Sequence, residues 1–285
     1  MTDRRTFWTT ANAEDIAQAC DQYGLTRITP EVRYIAHPVA DICAAPGGAR
    51  DRQILRGQAF TVHGVSGDGW AFGESVSCGY SGWVETAQFA NHPDTKPTHH
   101  VTAAKTYAKA TSGLKAPGSV TPLSIGSALI VQDENDGWSR IAWSPDGDLF
   151  VPSLHLAPIT KTERDPVGVA TRLVGTPYLW GGDSAFGIDC SGLVRMACQA
   201  CGIPCPGDSD QQMAQLGETL APGTAPQRGD LLFWKGHVGW VSDPDTLLHA
   251  NAYAMSTNHE PLQAAIQRIA AQGDPVLRHA RLTLG

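Results

Sequence analysis

Short runs of alternating apolar and polar residues dominate the first half of the chain, from Ile28 to about Ala90 and again from Val101 to Val151. Clusters of Gly, Pro, Asp and Ser divide these runs, which is the pattern of short β-strands joined by turns. From Thr160 onward, apolar residues at spacings of three and four alternate with further strand-like runs. The pattern therefore predicts an α+β protein whose first half is built of β-structure.

The two β-rich blocks repeat one order of features. Each block contains strand-like runs around a turn glycine and then a glycine followed by tryptophan, Gly69-Trp70 in the first block and Gly137-Trp138 in the second. A repeat of this kind predicts two divergent copies of one small β-barrel. The predicted organisation is a helical extension, two barrels and an α+β domain, at residues 1–28, 29–92, 97–159 and 160–285.

The pattern also predicts individual elements outside the barrels. In the extension, a helix from Ala13 to Tyr23 is closed by Gly24. The predicted helices of the last domain are Pro166 to Val174, one that starts at Cys190 and stops at Gly202, and Pro261 to Ala271. Its predicted strands are Asp230–Trp234, His237–Val241, Thr246–Ala250 and Val276 to Leu284.

Cys190 has the setting of a reactive thiol. Asp189 is a good N-cap residue and places Cys190 in the first helical turn, where unpaired backbone N–H groups and the helix dipole favour a thiolate. A small buried cysteine in a helix is the alternative, and it is the usual fate of a lone cysteine.

Two histidines downstream supply partners for this thiol. His237 and His249 fall on successive strand segments joined by a tight turn at Asp243-Pro244-Asp245, so antiparallel pairing brings them side by side. A thiol hydrolase needs a base that shares the thiol proton and a polar group that orients the base. Either histidine alone would be interpreted as a half-buried structural residue.

Composition excludes several classes of partner. The net charge is −7 and there is no cluster of Lys and Arg, so neither nucleic acid nor an anionic membrane is an expected partner. No apolar stretch resembles a signal peptide or a membrane span. The sequence as written predicts a cytoplasmic protein, unless a leader has been removed.

The seven cysteines are an odd number without regular spacing, which predicts reduced thiols rather than a disulfide framework. Cys198, Cys201 and Cys205 form a local group that could bind a metal, but no second ligand pair accompanies them. We interpret them as core cysteines, and no metal site is predicted.

Five ordered motifs resemble the NlpC/P60 cysteine peptidases: Pro177-Tyr178-Leu179-Trp180-Gly181-Gly182, Asp189-Cys190-Ser191-Gly192-Leu193-Val194, Arg228-Gly229-Asp230-Leu231-Leu232-Phe233, His237-Val238-Gly239 and Leu247-Leu248-His249-Ala250. The resemblance covers roughly residues 160–285 and implies a papain-like catalytic domain that hydrolyses peptidoglycan peptides without a cofactor. It implies that Cys190 is the nucleophile, His237 its base and His249 the orienting group, with Tyr178 close to the nucleophile.

The two β-blocks resemble bacterial SH3 domains, and two SH3-like domains before NlpC/P60 are similar to the γ-D-glutamyl-L-diamino-acid endopeptidases, also called dipeptidyl-peptidase VI. The resemblance implies that the first SH3-like domain narrows the catalytic groove. The implied partner is a murein stem peptide, L-Ala-γ-D-Glu-diamino acid, with a free N-terminal amine. The implied substrate-binding residues are Ser191, Asp208, Ser209, Tyr80, Trp180, Gln58 and Glu74.

One departure concerns recognition of the amine. A Glu of the family corresponds to Gln58 here, and a neutral amide accepts a hydrogen bond from an ammonium group without neutralising it. Asp208 alone, or Asp208 with the help of Glu74, would then carry the negative charge. Asp208 and Ser209 are equally common as turn residues, so a structural role is the alternative.

Four rival interpretations stay open at this stage. The chain could be a wall-binding module whose catalytic domain is inert, or a metal-binding scaffold built on Cys198, Cys201 and Cys205. It could also be an amidase or acyltransferase that uses the same thiol on another amide, or a general peptidoglycan hydrolase. An intact set of Cys190, His237 and His249 favours an active peptidase over the inert module.

Overall fold

The structure is a computed structural model that describes residues 3–90, 96–142 and 147–282. These residues form two compact units, Met1–Lys161 and Thr162–Gly285. The predicted boundary at residue 92, most of the linker before residue 97, and the end of the predicted last strand at Leu284 lie outside the described residues. The second unit begins two residues after the predicted boundary at residue 160.

The first unit begins with two short helices, α1 (Phe7–Thr10) and α2 (Ala13–Tyr23). Asn12 caps α2, because its side-chain oxygen accepts hydrogen bonds from the N–H groups of Glu14 and Asp15 at 2.8 and 2.9 Å. Gly24 ends the helix with a φ of 59°, a conformation that glycine adopts without strain. The predicted helix is confirmed, but the helical extension stops at Gly24 and not at residue 28.

A six-stranded antiparallel sheet follows, in the order β1-β4-β5-β6-β2-β3. Its core contains Ile42, Phe60 and Val84 among other buried residues. Phe7 and Trp8 of α1 pack against Phe72 of the sheet. The strands are β1 (Leu25–Tyr34), β2 (Val39–Cys43), β3 (Arg50–Leu55), β4 (Ala59–Ser66), β5 (Trp70–Ser75) and β6 (Ser81–Glu85).

The second β-block has a core of its own, built from buried residues such as Val101, Leu123 and Ile141. Its strands are β7 (His99–Val101), β8 (Lys105–Lys109), β9 (Val120–Ser124), β10 (Ala128–Leu129), β11 (Val131–Asn135), β12 (Trp138–Ala142), β13 (Asp148–Pro152) and β14 (Leu156–Pro158). They form a five-stranded sheet, β11-β12-β13-β8-β9, and a three-stranded sheet, β10-β7-β14. Asp136 and Gly137 join β11 to β12 with φ of 49° and 76°, the two-residue turn that an Asp-Gly pair favours.

The second unit is a six-stranded sheet with helices packed on it, in the order β17-β22-β18-β19-β20-β21. Its helices are α3 (Pro166–Thr171), α4 (Cys190–Ala200), α5 (Ser209–Gln215) and α6 (Leu262–Ala270). Its strands are β15 (Asp183–Ser184), β16 (Gly187–Ile188), β17 (Glu218–Thr219), β18 (Asp230–Trp234), β19 (His237–Asp243), β20 (Thr246–Asn251), β21 (Ser256–Pro261) and β22 (Arg278–Arg281).

Helices α4 and α6 pack against this sheet. Helix α4 lies against β19 and β20. Helix α6 buries Leu262, Ala265 and Ile269 against Trp234 and Leu247 of the sheet. Burial of each large apolar side chain contributes roughly 1.5–3 kcal/mol, so α6 is held by its apolar face.

Strand β21 was not predicted from the sequence. Its residues, Ser256 to Pro261, are mostly polar and lack apolar alternation, because this strand lies at the edge of the sheet. Pro261 ends it at a position where an edge strand tolerates the missing N–H group. The predicted helix to Val174 is also shorter than expected and ends at Thr171.

Among the described residues, no helix is both long enough and apolar enough to cross a membrane.

The start of α4 allows a packing test. A Cβ atom at Gly192 would lie 2.4 Å from the carbonyl oxygen of Gly182 and 2.8 Å from Asp183 Oδ1. We expect Gly192→Ala to cost about 1–3 kcal/mol of unfolding free energy, because backbone must move to admit the methyl group. Thermal unfolding measures this, with Gly67→Ala, which meets no atom within 4 Å, as the matched control. Equal melting temperatures for Gly192→Ala and the wild type would contradict the packing described here.

Candidate active site

Asp189 joins the first turn of α4 to the loop before it. Its Oδ1 accepts hydrogen bonds from Gly192 N at 2.7 Å and Ser191 Oγ at 3.0 Å, which caps the helix. Its Oδ2 accepts the N–H of Gly181 at 2.9 Å. The predicted N-cap is confirmed, and Cys190 is the first residue of the helix, with 6 % of its surface exposed.

The segment that carries Tyr178 is held on both sides. Tyr178 N donates to the carbonyl oxygen of Met255 at 3.0 Å, and Leu179 N donates to that of Ile188 at 3.0 Å. Ile188 N donates in return to Pro177 O at 3.1 Å. Because Ile188 precedes Cys190 by two residues, these bonds hold the half-buried Tyr178 in a segment fixed to the start of α4.

A buried ion pair anchors the same loop to the body of α4. Arg195 donates to Asp183 Oδ1 from both Nε and a terminal nitrogen at 3.1 Å, and the two side chains are 4 % and 1 % exposed. A buried pair of this kind is costly to break, because removal of one partner leaves the other charge uncompensated.

The turn between β18 and β19 brings the histidine strand to the thiol. Gly236 adopts a φ of 69°, which favours glycine, and its carbonyl oxygen lies 4.0 Å from Cys190 Sγ. His237 follows directly as the first residue of β19. Trp234 is its partner across the hairpin, and the two rings lie 5.5 Å apart between centroids.

His237 and His249 are in direct contact, as their strand positions predict. His237 Nε2 lies 2.9 Å from His249 Nδ1, and His249 is completely buried. Strands β19 and β20 pair Trp240 with Leu248, and a Cβ atom at the neighbouring Gly239 would lie 3.1 Å from His249 Cβ. Glycine at this position therefore leaves space for the pair of imidazole rings.

The surroundings keep both imidazoles neutral near pH 7. Burial lowers the pKa of His237 to about 3, the charged forms of His249 and Arg268 act in the same direction, and the Glu260 carboxylate opposes them. Burial also lowers the pKa of His249 to about 4, against the opposing effect of Glu260. A neutral imidazole is the form that can accept a proton from a thiol.

Glu260 and Arg268 continue the line of contacts from His237 and His249, and the sequence did not predict either of them as a site residue. His249 Nε2 lies 3.1 Å from Glu260 Oε2, and Arg268 donates to both oxygens of Glu260 at 2.9 and 2.7 Å. The hydrogen bond from Arg268 is the main reason that the pKa of Glu260 lies below its usual range. A Glu followed by Pro before an amphipathic helix was the one available signal, and it does not distinguish this carboxylate from any surface Glu.

The predicted substrate-binding residues of the second unit lie around α4 and α5. Trp180 is 71 % exposed in the loop after Tyr178. Ser191 is buried with its hydroxyl donating to Asp189. Asp208 is the N-cap of α5 and Ser209 its first residue, and Gln212 of that helix donates to Ser191 O at 2.9 Å. Substrate contacts for these four residues stay predictions, and the N-cap position gives Asp208 a structural role as well.

The predicted residues of the first unit have partners inside it. Gln58 is buried, with Oε1 accepting from Leu55 N at 3.1 Å and Nε2 donating to Gly126 O at 3.1 Å. Tyr80 is 3 % exposed in the core of the first sheet. Glu74 Oε1 lies 3.4 Å from His63 Nε2. Structural roles thus account for the positions of Gln58 and Tyr80, and a role of any of the three in substrate binding stays a prediction.

The cysteines in and after the last turn of α4 do not have the character of metal ligands. Cys198 and Cys205 are buried and Cys201 is half-buried. A hydrogen bond with Cys205, together with burial, raises the pKa of Cys198 well above its ordinary value, and burial raises that of Cys201 to about 11. Metal ligation requires thiolates, so the raised pKa values of Cys198 and Cys201 favour a place in the core over a role as metal ligands.

A thiol at a helix start beside two hydrogen-bonded histidines defines the site of a cysteine-peptidase type of enzyme. Residues 175–269 match the sequence profile of the NlpC/P60 family, and residues 42–89 match the bacterial dipeptidyl-peptidase SH3 domain. The second unit thus contains an NlpC/P60 domain, and the first contains an SH3 domain of bacterial dipeptidyl-peptidase type. The likeness of the second β-block to SH3 domains stays a prediction.

Named relatives carry related descriptions. The chain is 30 % identical over 186 residues to the γ-D-glutamyl-L-lysine dipeptidyl-peptidase of Bacillus subtilis (strain 168), which covers 60 % of the chain and 60 % of that protein. It is 38 % identical over 87 residues to dipeptidyl-peptidase 6 of Lysinibacillus sphaericus, which covers 30 % of the chain and 31 % of that protein. The chain therefore spans less than two thirds of the length of these relatives.

A solved structure extends the likeness of fold. The crystal structure of an NlpC/P60 family protein from Bacillus cereus (strain ATCC 10987) matches with a TM-score of 0.74 at 20 % identity, covering 90 % of the chain and 100 % of that protein. The chain thus has the NlpC/P60 fold with an SH3-like domain, as predicted.

The low pKa values of the histidines give a test that needs no substrate. Between about pH 4 and 6.5 we expect both imidazoles to stay neutral in the folded protein, whereas unfolded histidines titrate near 6.5. The unfolded state then binds more protons, so the unfolding free energy falls as pH decreases through this window. An NMR titration of the two imidazoles checks this, with the urea-unfolded protein as control. Titration of both rings near pH 6.5 in the folded protein would contradict it.

Proposed function

We propose that the protein is a cysteine peptidase that hydrolyses the γ-D-Glu–L-diamino-acid bond of free murein stem peptides with an unblocked N-terminal L-Ala. The observation that carries the proposal is the contact of His237 Nε2 with His249 Nδ1 at 2.9 Å, beside Cys190 at the start of α4. The names of the relatives from Bacillus subtilis and Lysinibacillus sphaericus support the substrate class.

In this reaction His237 takes the thiol proton of Cys190, and the thiolate attacks the γ-carbonyl carbon of D-Glu. The tetrahedral intermediate collapses when His237 returns the proton to the leaving amine of the diamino acid, which leaves a thioester on Cys190. Water, deprotonated by His237, then hydrolyses the thioester and restores the thiol. His249 holds His237 in orientation through both steps.

Negative charge on the carbonyl oxygen needs donors at the start of α4. The positive end of the helix dipole acts at this position, and it favours both the thiolate and the oxyanion. Tyr178 is the side-chain donor that we assign to the oxyanion. Support for this role comes from the backbone bonds that tie its segment to Ile188 and Met255.

Asp208 is the acidic residue that we assign to the substrate amine. It is the N-cap of α5, which Gln212 ties to α4 at Ser191 O. Gln58 has both ends of its amide occupied by backbone groups, so the charge of Asp208 is the better match for an ammonium. The preference for a free N-terminus follows, because an acetylated amine has no positive charge.

The nucleophile is tested with one substitution. We expect Cys190→Ala to abolish release of the diamino acid from L-Ala-γ-D-Glu-diaminopimelate, while Cys201→Ala, a half-buried thiol at the end of the same helix, keeps the activity. Mass spectrometry of the products also separates water from other acyl acceptors, since an acyltransferase would yield a new amide or ester. Retained hydrolysis by Cys190→Ala, or products without the expected cleavage, would refute the proposal.

The amine preference is tested by removing charge without removing the helix cap. Asn caps a helix as well as Asp does, so Asp208→Asn should keep α5 intact. We expect it to reduce the preference for free over N-acetylated peptide by roughly 10- to 100-fold, because a charge-assisted hydrogen bond is worth about 1.5–3 kcal/mol. The matched control is Asp165→Asn at the N-cap of α3, which should leave the preference unchanged. Equal rates on both peptides in the wild type would instead indicate a general peptidoglycan hydrolase.

A further inference from the structure

A continuous line of polar contacts runs from His237 to a partly buried ion pair, across three neighbouring strands and one helix. His237 on β19 contacts His249 on β20 at 2.9 Å, and His249 contacts Glu260 on β21 at 3.1 Å. Arg268 on α6 completes the line with its two hydrogen bonds to Glu260. We propose that Glu260 is a positioning residue that, through His249, fixes His237 Nδ1 as the nitrogen that takes the Cys190 proton. The inference rests on the proposed function.

The register of the sheet accounts for this arrangement. Leu247 pairs with Glu260 and His249 with Asn258, so Glu260 is the diagonal neighbour of His249 on the same face of the sheet. Glu260 has 14 % of its side chain exposed, which leaves it accessible to Arg268 and still in contact with His249.

The chemistry of the carboxylate decides which nitrogen of each histidine carries a proton. An ionised carboxylate only accepts hydrogen bonds, so Nε2 of His249 must donate to Glu260. A neutral His249 then has an unprotonated Nδ1, which must accept a hydrogen bond from His237 Nε2. A neutral His237 with its proton on Nε2 has an unprotonated Nδ1. Among the described residues no hydrogen bond from another side chain occupies that atom, so it is available to the thiol.

Without the carboxylate, the opposite arrangement becomes available. His249 could then hold its proton on Nδ1 and donate to His237 Nε2, which moves the proton of His237 to Nδ1. In that form His237 presents an N–H to Cys190 and cannot accept its proton. Arg268 works against this form because it keeps Glu260 ionised and holds both of its oxygens in place.

Three variants separate a tautomer effect from a general structural effect. Glu260→Gln keeps the shape but can donate from its amide to His249 Nε2, which favours the opposite tautomer. We expect kcat to fall by roughly 10²-fold or more, as expected for a base held in the wrong tautomer, while KM changes little. Glu260→Asp keeps the charge and should recover part of kcat. Glu163→Gln removes another Glu–Arg pair of the same unit and serves as the matched control with unchanged kcat.

The deciding measurement is made without substrate, in the Cys190→Ala background. Nitrogen-15 NMR of the imidazoles should show protonated Nε2 on both His237 and His249, and Glu260→Gln should move the protons to Nδ1. Unchanged tautomers in Glu260→Gln, or an initial state with His237 protonated on Nδ1, would overturn the inference. Failure of the proposed function would appear differently, as a wild-type protein that leaves the murein peptide intact while the tautomers follow the expected pattern.

Discussion

The carboxylate of Asp189 is the contact on which the candidate site depends. It caps α4 with one oxygen and holds the N–H of Gly181 with the other. The helix start that exposes Cys190 to the dipole and the loop that carries Tyr178 are therefore fixed by the same group. Because Asp189 is buried, its charge needs these donors, and the loop and helix stabilise each other through it.

The histidine pair shows a balance between burial and charge. Desolvation by Trp234 and the neighbouring strands disfavours an imidazolium, which leaves His237 able to accept a proton. An imidazolium must nevertheless form during the proposed reaction, and Glu260 is the group whose negative charge opposes the desolvation. Arg268 holds the Glu260 carboxylate in place and acts in the opposite direction on the pKa values of both histidines.

One motif that resembles the family turns out to have a structural role here. Asp230 of Arg228-Gly229-Asp230 is fully buried and accepts hydrogen bonds from Arg281 and from His279 of β22. Arg228 donates to Ser242 O and to Asp165, the N-cap of α3. These residues hold strands and a helix together, so a motif match by itself does not separate catalytic from structural residues.

Interactions between residues close in sequence determined much of the local structure of this protein. The caps at Asn12 and Asp189, the turn at Asp136-Gly137 and the first residue of the helix at Cys190 all depend on neighbours within a few positions. The helix closed by Gly24 and the N-cap at Asp189 were predicted correctly. The two histidines were also correctly placed on adjacent strands, because a short turn between alternating runs allows little other than a hairpin.

Only the tertiary structure decided what surrounds those histidines. Strand β21 is polar because it is an edge strand, so the hydrophobic pattern of its residues does not predict a strand. Glu260 reaches His249 only through the register of β21 with β20. Arg268 comes from the following helix, and the burial that lowers both histidine pKa values comes from side chains of several elements. Local propensity acts over a few residues, whereas desolvation and charge pairing depend on which distant residues are brought within a few ångströms, and only the packed chain sets those distances.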